Sequence, residues 1–171
     1  MRIQDQHYYH GAALLQVIEY KPGVSIDVLK LGDRIGHPRS HDTYRVDREI
    51  GLYVKYATTF FDTENRLCQF KFEDRNIDEL GELQEVTPKT FLALVCEPAS
   101  AICCLSFDEF ARIYAERSKQ GASTKSFDVV VEAPDGERLR VFAREAAKRG
   151  GRQAEIQVPR AAFPSKLFIR L

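Results

Sequence analysis

Two arrangements of acid and lysine residues are the groups in this sequence whose types and spacing could do chemistry. They are formed by Asp47, Tyr53 and Lys55, and by Asp62, Gln69 and Lys71. In an extended strand successive side chains alternate between the two faces, so each lysine shares a face with the residue two positions before it. The sequence therefore predicts two candidate sites for acid and lysine chemistry, each carried by one strand.

Other catalytic and binding motifs are absent from the sequence. It contains no G-x-G-x-x-G, no G-x-x-x-x-G-K-[ST], no G-x-S-x-G and no C-x-x-C pair. Nucleotide-binding, serine-hydrolase and zinc-ribbon functions therefore have no support from motifs. The four cysteines lie in apolar segments, which predicts reduced, buried thiols.

Residues 51–74 are predicted to form a β-hairpin that carries both candidate sites except Asp47, which precedes it. Apolar and polar residues alternate in its two halves, which is typical of half-buried strands. The apolar positions are Leu52, Val54, Tyr56 and Phe60 in the first half, and Cys68, Phe70 and Phe72 in the second. Residues 62–66 are polar and of hairpin-loop length.

The remaining elements are predicted from apolar spacing and from capping residues. Residues 10–20 place Leu14, Val17 and Ile18 on one face of a helix, and Ser106 with Glu109 forms a capping box that begins a second helix ending near residue 119. Two further hairpins are predicted at 90–105 and 126–142, an acidic loop or single helical turn at 75–87, and a short edge strand near the C-terminus.

The predicted order of a helix, three mostly antiparallel strands, a helix and a strand resembles the core of the PD-(D/E)xK nuclease superfamily. The resemblance covers about residues 10–132 and implies an Asp and a Glu that hold Mg²⁺ or Mn²⁺, with a lysine that polarises the attacking water. Gln69 or Tyr53 stands where that acid is expected, and Glu19 on the first helix could supply the missing carboxylate. The candidate catalytic residues are Glu19, Asp47, Lys55, Asp62 and Lys71.

Positive charge is concentrated at the C-terminal end of the chain. Residues 138–171 contain nine Lys or Arg against two acids, in a protein of zero net charge. Basic side chains supply most of the sequence-independent affinity for phosphates, so this end is a candidate surface for duplex nucleic acid. The candidate contacts are Arg140, Arg144, Lys148, Arg149 and Arg152. A basic end folded against an acidic body would explain the asymmetry equally well.

All four histidines, His7, His10, His37 and His41, lie in the first quarter of the chain. They could form a metal site, but their spacing lacks the acid of an H-E-x-x-H helix. The sequence favours exposed histidines in loops.

The length of 171 residues predicts one domain. We expect an α+β fold with a mostly antiparallel or mixed sheet of five to seven strands, flanked by at least two helices. The sequence shows neither a run of about 20 apolar residues nor a secretory signal, which favours a cytoplasmic location. The leading hypothesis is a nucleic-acid-associated protein with a nuclease-like core, active or degenerate. The alternative is a non-enzymatic module of a bacterial-type cytoplasmic system that binds another protein through the 51–74 surface or the acidic 73–85 segment.

Overall fold

A five-stranded sheet forms the central layer of the computed structural model, which describes residues 2–31, 42–119, 126–144 and 154–169. Its strands are β1 (Ile26–Val28), β2 (Thr43–Val46), β3 (Ile50–Ala57), β5 (Lys89–Cys96) and β6 (Ala101–Ser106), in the spatial order β1-β2-β3-β5-β6. Neighbouring strands are antiparallel except β3 and β5, which are parallel. A parallel pair needs a crossover connection, and the chain between β3 and β5 supplies it.

A second sheet contains four antiparallel strands in the order β4-β7-β8-β9. They are β4 (Leu67–Glu73), β7 (Ser126–Glu132), β8 (Leu139–Ala143) and β9 (Ile156–Val158). The α-helices are α1 (Asp5–Tyr20), α2 (Asp74–Val86) and α3 (Phe107–Lys119), and short 3₁₀ turns occur at Glu97–Ala99, Arg160–Ala162 and Ser165–Phe168. Within the described residues, no helix is long and apolar enough to cross a membrane.

The central sheet has an apolar cluster on each of its faces. One cluster packs α1 against the sheet through residues such as Ala13, Val17 and Leu52. The other lies between the two sheets, where α2 and α3 also contribute. Because β3 and β5 are covered on both faces, their residues from Ile50 to Val54 and from Thr90 to Cys96 are all buried. The α+β fold class is thus confirmed, with two sheets in place of the single one expected.

The hairpin predicted for residues 51–74 is wrong in its pairing. Both strands form close to the predicted positions, but β3 pairs with β2 and β5, whereas β4 pairs with β7. Only an isolated bridge between Asp62 and Leu67 closes the connection between them. Strand alternation reports which face is buried, and it carries no information about the partner strand.

The segment 75–87, predicted to be a loop or a single turn, belongs to the 13-residue helix α2. Its buried residues include Asn76 and Glu79 beside Leu80 and Leu83, so polar residues on the inner face obscure the apolar period. Near the C-terminus, β9 is short as expected, but Leu167 lies in a 3₁₀ turn. The first helix begins at Asp5, five residues earlier than predicted.

On the apolar face predicted for the first helix, Val17 is buried, but Ile18 is 46 % exposed. The two further hairpins and the start of the second predicted helix are confirmed. β5 pairs with β6 and β7 with β8 as antiparallel neighbours. The capping box at the start of α3 is formed as predicted: the Glu109 backbone N–H donates to Ser106 Oγ at 3.2 Å, and the Ser106 N–H donates to Glu109 Oε2 at 2.8 Å.

Candidate anion-binding cleft

A cleft of about 470 Å³ opens where α1, the start of β2, β3 and β4 meet. Among its lining residues are Gln6, His10, Asp42, Lys55, Gln69 and Lys71. Two of the five predicted catalytic residues, Lys55 and Lys71, are therefore brought together, although their strands belong to different sheets. The Gln69 side chain shares the cleft with them, whereas Tyr53 does not line it.

Lys55 is held at the inner end of the cleft, with its side chain partly covered. Its Nζ lies 5.1 Å from the centre of the Phe72 ring, in a cation–π contact with a fully buried aromatic. Burial lowers the pKa of Lys55 below its usual value of 10.5, because the charged form loses water, while the nearby Asp42 carboxylate opposes the shift. An ammonium that is partly desolvated in this way would be stabilised by an anion that enters the cleft.

Lys71 is the exposed counterpart on β4. Its Nζ lies 3.9 Å from Glu73 Oε1, and both side chains are well exposed. Two positions earlier on the same strand, Gln69 Oε1 accepts a hydrogen bond from Arg144 at 3.1 Å. Lys71 therefore contributes a charge at the rim, and Gln69 connects the cleft to an arginine on β8.

His10 forms the opposite wall of the cleft and is only 3 % exposed, so the prediction of exposed loop histidines is wrong for this residue. Its Nδ1 lies 2.9 Å from the Tyr44 hydroxyl, and its Nε2 lies 3.8 Å from Asp42 Oδ1. Burial, helped by the Asp42 charge, raises the pKa of Tyr44 to about 12, so this hydroxyl remains protonated. The Tyr56 ring also lies in the wall, stacked on Tyr9 with 4.7 Å between ring centres.

Sequence reasoning missed Asp42 and the position of His10. Asp42 directly precedes β2, and its carbonyl accepts the Val54 N–H at 2.8 Å, which places it beside Lys55. The proximity of Asp42 to Lys55 depends on the pairing of β2 with β3, and no spacing of residues in the sequence predicts it. His7 is also on α1, where its Nδ1 accepts the Gln4 N–H at 2.8 Å. His37 and His41 lie outside the described residues.

The three predicted carboxylates lie elsewhere. Asp47 occupies the β2–β3 turn, where it pairs with Lys21 and accepts the Ser25 N–H at 3.0 Å. The Lys21 hydrogen bond, followed by that of Ser25, lowers the pKa of Asp47. Glu19 is exposed near the end of α1, about 13 Å along the helix from His10.

Asp62 stabilises the connection that leads into β4. Its carboxylate accepts the Asn65 backbone N–H at 3.0 Å and the Asn65 side-chain amide at 2.8 Å. These bonds, the side-chain one first, lower the pKa of Asp62. The aspartate of each predicted motif thus closes a turn, whereas Lys55 of the first motif and Gln69 and Lys71 of the second reach the cleft.

Tyr53 is fully buried between the sheets and approaches a different carboxylate. Its hydroxyl donates to Glu79 Oε2 of α2 at 3.2 Å. Burial and the Glu79 charge raise the pKa of Tyr53, so the phenol stays neutral and acts as a donor. Tyr53 therefore anchors α2 to β3.

Two of the five predicted nucleic-acid contacts are in the described residues, and both already have acidic neighbours. Arg140 lies 2.8 Å from Glu137 and 3.6 Å from Glu132. Arg144 lies 3.8 Å from Asp128, and its guanidinium stacks 5.4 Å from the Phe61 ring. Lys148, Arg149 and Arg152 lie outside the described residues.

The cleft does not offer a ligand set for the Mg²⁺ or Mn²⁺ that the resemblance implies. Its described lining residues contribute one carboxylate, Asp42, beside His10, whereas these ions favour several oxygen ligands. Across the described ranges no group of three His, Cys, Asp or Glu side chains is placed to hold a metal. All four cysteines are buried free thiols, as predicted.

Comparison with protein-family models, with curated proteins and with solved structures gives no match for this chain. The functional conclusion therefore depends on the geometry of the cleft.

Proposed function

We propose that this chain is a nucleic-acid-associated protein that binds a backbone phosphate in the cleft, on a nuclease-like framework that does not cleave its ligand. The observation that carries the proposal is the convergence of Lys55 and Lys71 in one cleft, where Asp42 is the carboxylate among the described lining residues. A phosphate would contact an inner, poorly hydrated ammonium and an outer, exposed one.

The arrangement of elements supports the nuclease-like part of the proposal. Helix α1 is followed by the antiparallel strands β1, β2 and β3, and helix α2 precedes β5, which runs parallel to β3. This is the order that the superfamily resemblance implies, with β4 inserted before α2. Lys55 lies on the third strand of that order, and Asp42 lies next to it at the start of the second.

We expect phosphate binding without cleavage because the predicted catalytic carboxylates do not reach the cleft. Asp47 and Asp62 are engaged in turns, and a neutral residue, Tyr53 or Gln69, stands two positions before each lysine. Among the described residues, the cleft therefore does not present the acid pair that would hold a metal and orient a water. Its cationic groups remain suited to phosphate contact, which needs charge and hydrogen-bond donors only.

Arg144 extends the cationic surface beyond the cleft. The Arg144 guanidinium donates a hydrogen bond to Gln69 Oε1, and Gln69 lines the cleft. Arg144 directly follows β8 of the second sheet. A phosphate next to the one in the cleft could take the place of Asp128 beside this guanidinium, since their separation of 3.8 Å is that of a loose ion pair.

The test is the binding of a fluorescent mixed-sequence duplex DNA pool, measured by anisotropy over a series of salt concentrations. The variants are Lys55→Met and Lys71→Ala, and the control is Lys30→Ala, an exposed lysine that does not line the cleft. We expect each cleft variant to weaken binding and to reduce the slope of log K against log salt by about one, because one phosphate contact is lost. The control should keep the slope of the wild type.

The proposal fails if binding is undetectable at low salt, or if both cleft variants match the Lys30→Ala control. Incubation of the protein and DNA with Mg²⁺ or Mn²⁺ tests the second part of the proposal, that the protein does not cleave its ligand. Cleavage that is abolished by Asp42→Asn would overturn the non-cleaving assignment and would make the cleft an active site.

A further inference from the structure

An exposed phenylalanine stands in the connection that leads from β3 to β4. Phe61 is 45 % exposed, whereas the preceding Phe60 packs against the apolar cluster between the two sheets. Neither apolar cluster of the described residues includes Phe61. A single exposed ring is common on protein surfaces, so the groups around it decide what it can bind.

The backbone around Phe61 is held by hydrogen bonds, which gives the ring a defined position. The Phe61 N–H donates to the Leu67 carbonyl at 3.0 Å, and the Leu67 N–H donates to the Asp62 carbonyl at 2.9 Å. The Asp62 carboxylate also accepts both Asn65 hydrogen bonds of this turn. Because the turn is closed before any ligand arrives, binding at Phe61 would cost little backbone ordering.

Phe61 is connected to the cleft by two contacts. The Arg144 guanidinium lies 5.4 Å from the centre of the Phe61 ring and donates to Gln69 Oε1 at 3.1 Å. Gln69 lines the cleft together with Lys55 and Lys71. The ring, the guanidinium and the two ammonium groups thus form a connected set with an aromatic end and a cationic end.

This combination of groups fits an unpaired nucleotide. Sites for single strands combine cationic groups that contact phosphates with aromatic rings on which bases stack. Arginine planes also stack on bases, and a glutamine amide such as that of Gln69 can bond to the edge of a base. In a duplex the bases are paired and stacked on one another, so they offer no free face to a ring on the protein.

We infer that the cleft binds a single-stranded nucleic acid, with one base stacked on Phe61 and a neighbouring backbone phosphate at Lys55 and Lys71. The inference rests on the phosphate contact proposed above and adds the class of strand and the position of a base. A duplex was expected from the basic C-terminal residues, whereas the aromatic ring comes from a distant segment of the chain. A duplex can still contact the lysines through its phosphates, but it lacks the stacked base.

Three fluorescent probes of equal length test the inference by anisotropy. They are oligodeoxythymidylate of about 12 nucleotides, the same strand with abasic sites in place of its bases, and a duplex. The abasic strand carries the same phosphates as the thymidylate strand. We expect the wild type to bind the thymidylate strand about tenfold more tightly than the abasic strand, because the stacked base adds to the affinity.

Phe61→Leu keeps an apolar side chain but removes the ring. It should bind the thymidylate strand about as weakly as the abasic strand, and bind the abasic strand and the duplex like the wild type. Its slope of log K against log salt should stay that of the wild type, since no charge is removed. Phe61→Tyr should restore the preference for bases. The matched control is Tyr20→Leu, which removes a similarly exposed ring that does not line the cleft.

A tryptophan reporter measures the contact directly. The chain contains no tryptophan, so Phe61→Trp introduces a single indole at the proposed stacking position. We expect the thymidylate strand to quench its emission, and the abasic strand and the duplex to leave the emission unchanged. Tyr20→Trp is the control and should not respond to any of the probes.

The outcomes separate this inference from the phosphate contact on which it rests. Equal binding of the thymidylate and abasic strands, or unchanged emission of Phe61→Trp at saturating thymidylate strand, would overturn the stacked base. The phosphate contact would still stand if Lys55→Met weakened binding of the abasic strand. If none of the probes bound at low salt, the phosphate contact would fail, and the stacked base with it.

Discussion

Strands β3 and β4 each bring one lysine to the cleft, but they hold the two ammonium groups in different surroundings. β3 lies inside the central sheet, and Lys55 sits over the buried Phe72 ring with its pKa lowered by burial. β4 is an edge strand of the second sheet, and Lys71 is exposed beside Glu73. Packing positions the inner lysine, whereas the outer lysine is positioned only by its strand.

This difference separates two ways in which a protein presents positive charge. Folding already removes part of the water around a half-buried lysine, so an anion that binds it loses less hydration and meets a preorganised cation. An exposed lysine contributes a long-range field that salt screens. If the comparison is right, changes around Lys55 should alter the stability of the fold, and changes at Lys71 should alter only its surface charge.

The largest effect is expected from Phe72→Ala. Phe72 is fully buried, lies 4.9 Å from the Phe110 ring centre and supports the Lys55 ammonium. Removing a buried phenylalanine side chain costs about 3–5 kcal/mol of unfolding free energy, through lost burial and a cavity. Urea denaturation should show this loss.

The neighbouring change Lys71→Ala is the control on the same strand. Because its side chain is exposed, we expect a change of at most about 0.5 kcal/mol in the unfolding free energy. If Phe72→Ala and Lys71→Ala lowered the unfolding free energy equally, the assignment of one buried and one solvent-exposed face to β4 would be wrong.

A smaller and pH-dependent effect is expected from Lys55→Met. Since the pKa of Lys55 is lowered in the folded state, the unfolded chain binds more protons than the folded one between that lowered pKa and 10.5. The stability of the wild type therefore rises with pH through this window, because the folded lysine releases its proton before the unfolded lysine does. Methionine removes the titrating group and retains an apolar side chain of similar length.

Urea denaturation of both proteins at about pH 7 and about pH 10 measures this difference. We expect the variant to be favoured most, relative to the wild type, at the lower pH, and the advantage to shrink at the higher pH. An advantage that stays constant between the two pH values would show that the ammonium is no harder to charge in the folded protein than in the unfolded one.

Local sequence patterns predict local structure in this chain, and they fail where distant segments meet. The alternation of Phe70 and Phe72 with Gln69 and Lys71 locates β4 and its faces, because that signal depends only on the strand itself. The partner of β3 is β5, which lies beyond α2, and nothing in residues 50–57 specifies it. The hairpin was predicted because β3 and β4 are adjacent along the chain, but adjacent strands need not pair with each other.

The same reasoning explains the candidate site. Lys55 and Lys71 could be found because each stands on a readable strand. Asp42 and His10 join them only through the pairing of β2 with β3 and the packing of α1, both of which are tertiary. Helix α2 was missed because Asn76 and Glu79 are buried by hydrogen bonding rather than by apolar character.

The smallest effect is expected at Asp47, the aspartate that precedes β3. Asp47 and Arg48 have φ of 49° and 63° in the turn between β2 and β3, and the Glu49 N–H donates to the Val46 carbonyl at 3.3 Å. Asparagine tolerates this left-handed conformation and keeps an acceptor for the Ser25 N–H. Asp47→Asn therefore removes only the charge that pairs with Lys21, worth at most about 1 kcal/mol for a surface pair.

The pH dependence identifies this charge. Because the pKa of Asp47 is lowered in the folded state, its contribution is present above 3.8 and is lost as the pH falls through the lowered value. The difference in unfolding free energy between the wild type and Asp47→Asn should thus be measurable at about pH 7 and shrink as the pH falls through the lowered pKa. A difference that persists at low pH would assign Asp47 a role beyond its charge. Phosphate binding should be unchanged in the variant, since the turn aspartate of the first motif lies outside the cleft that its lysine lines.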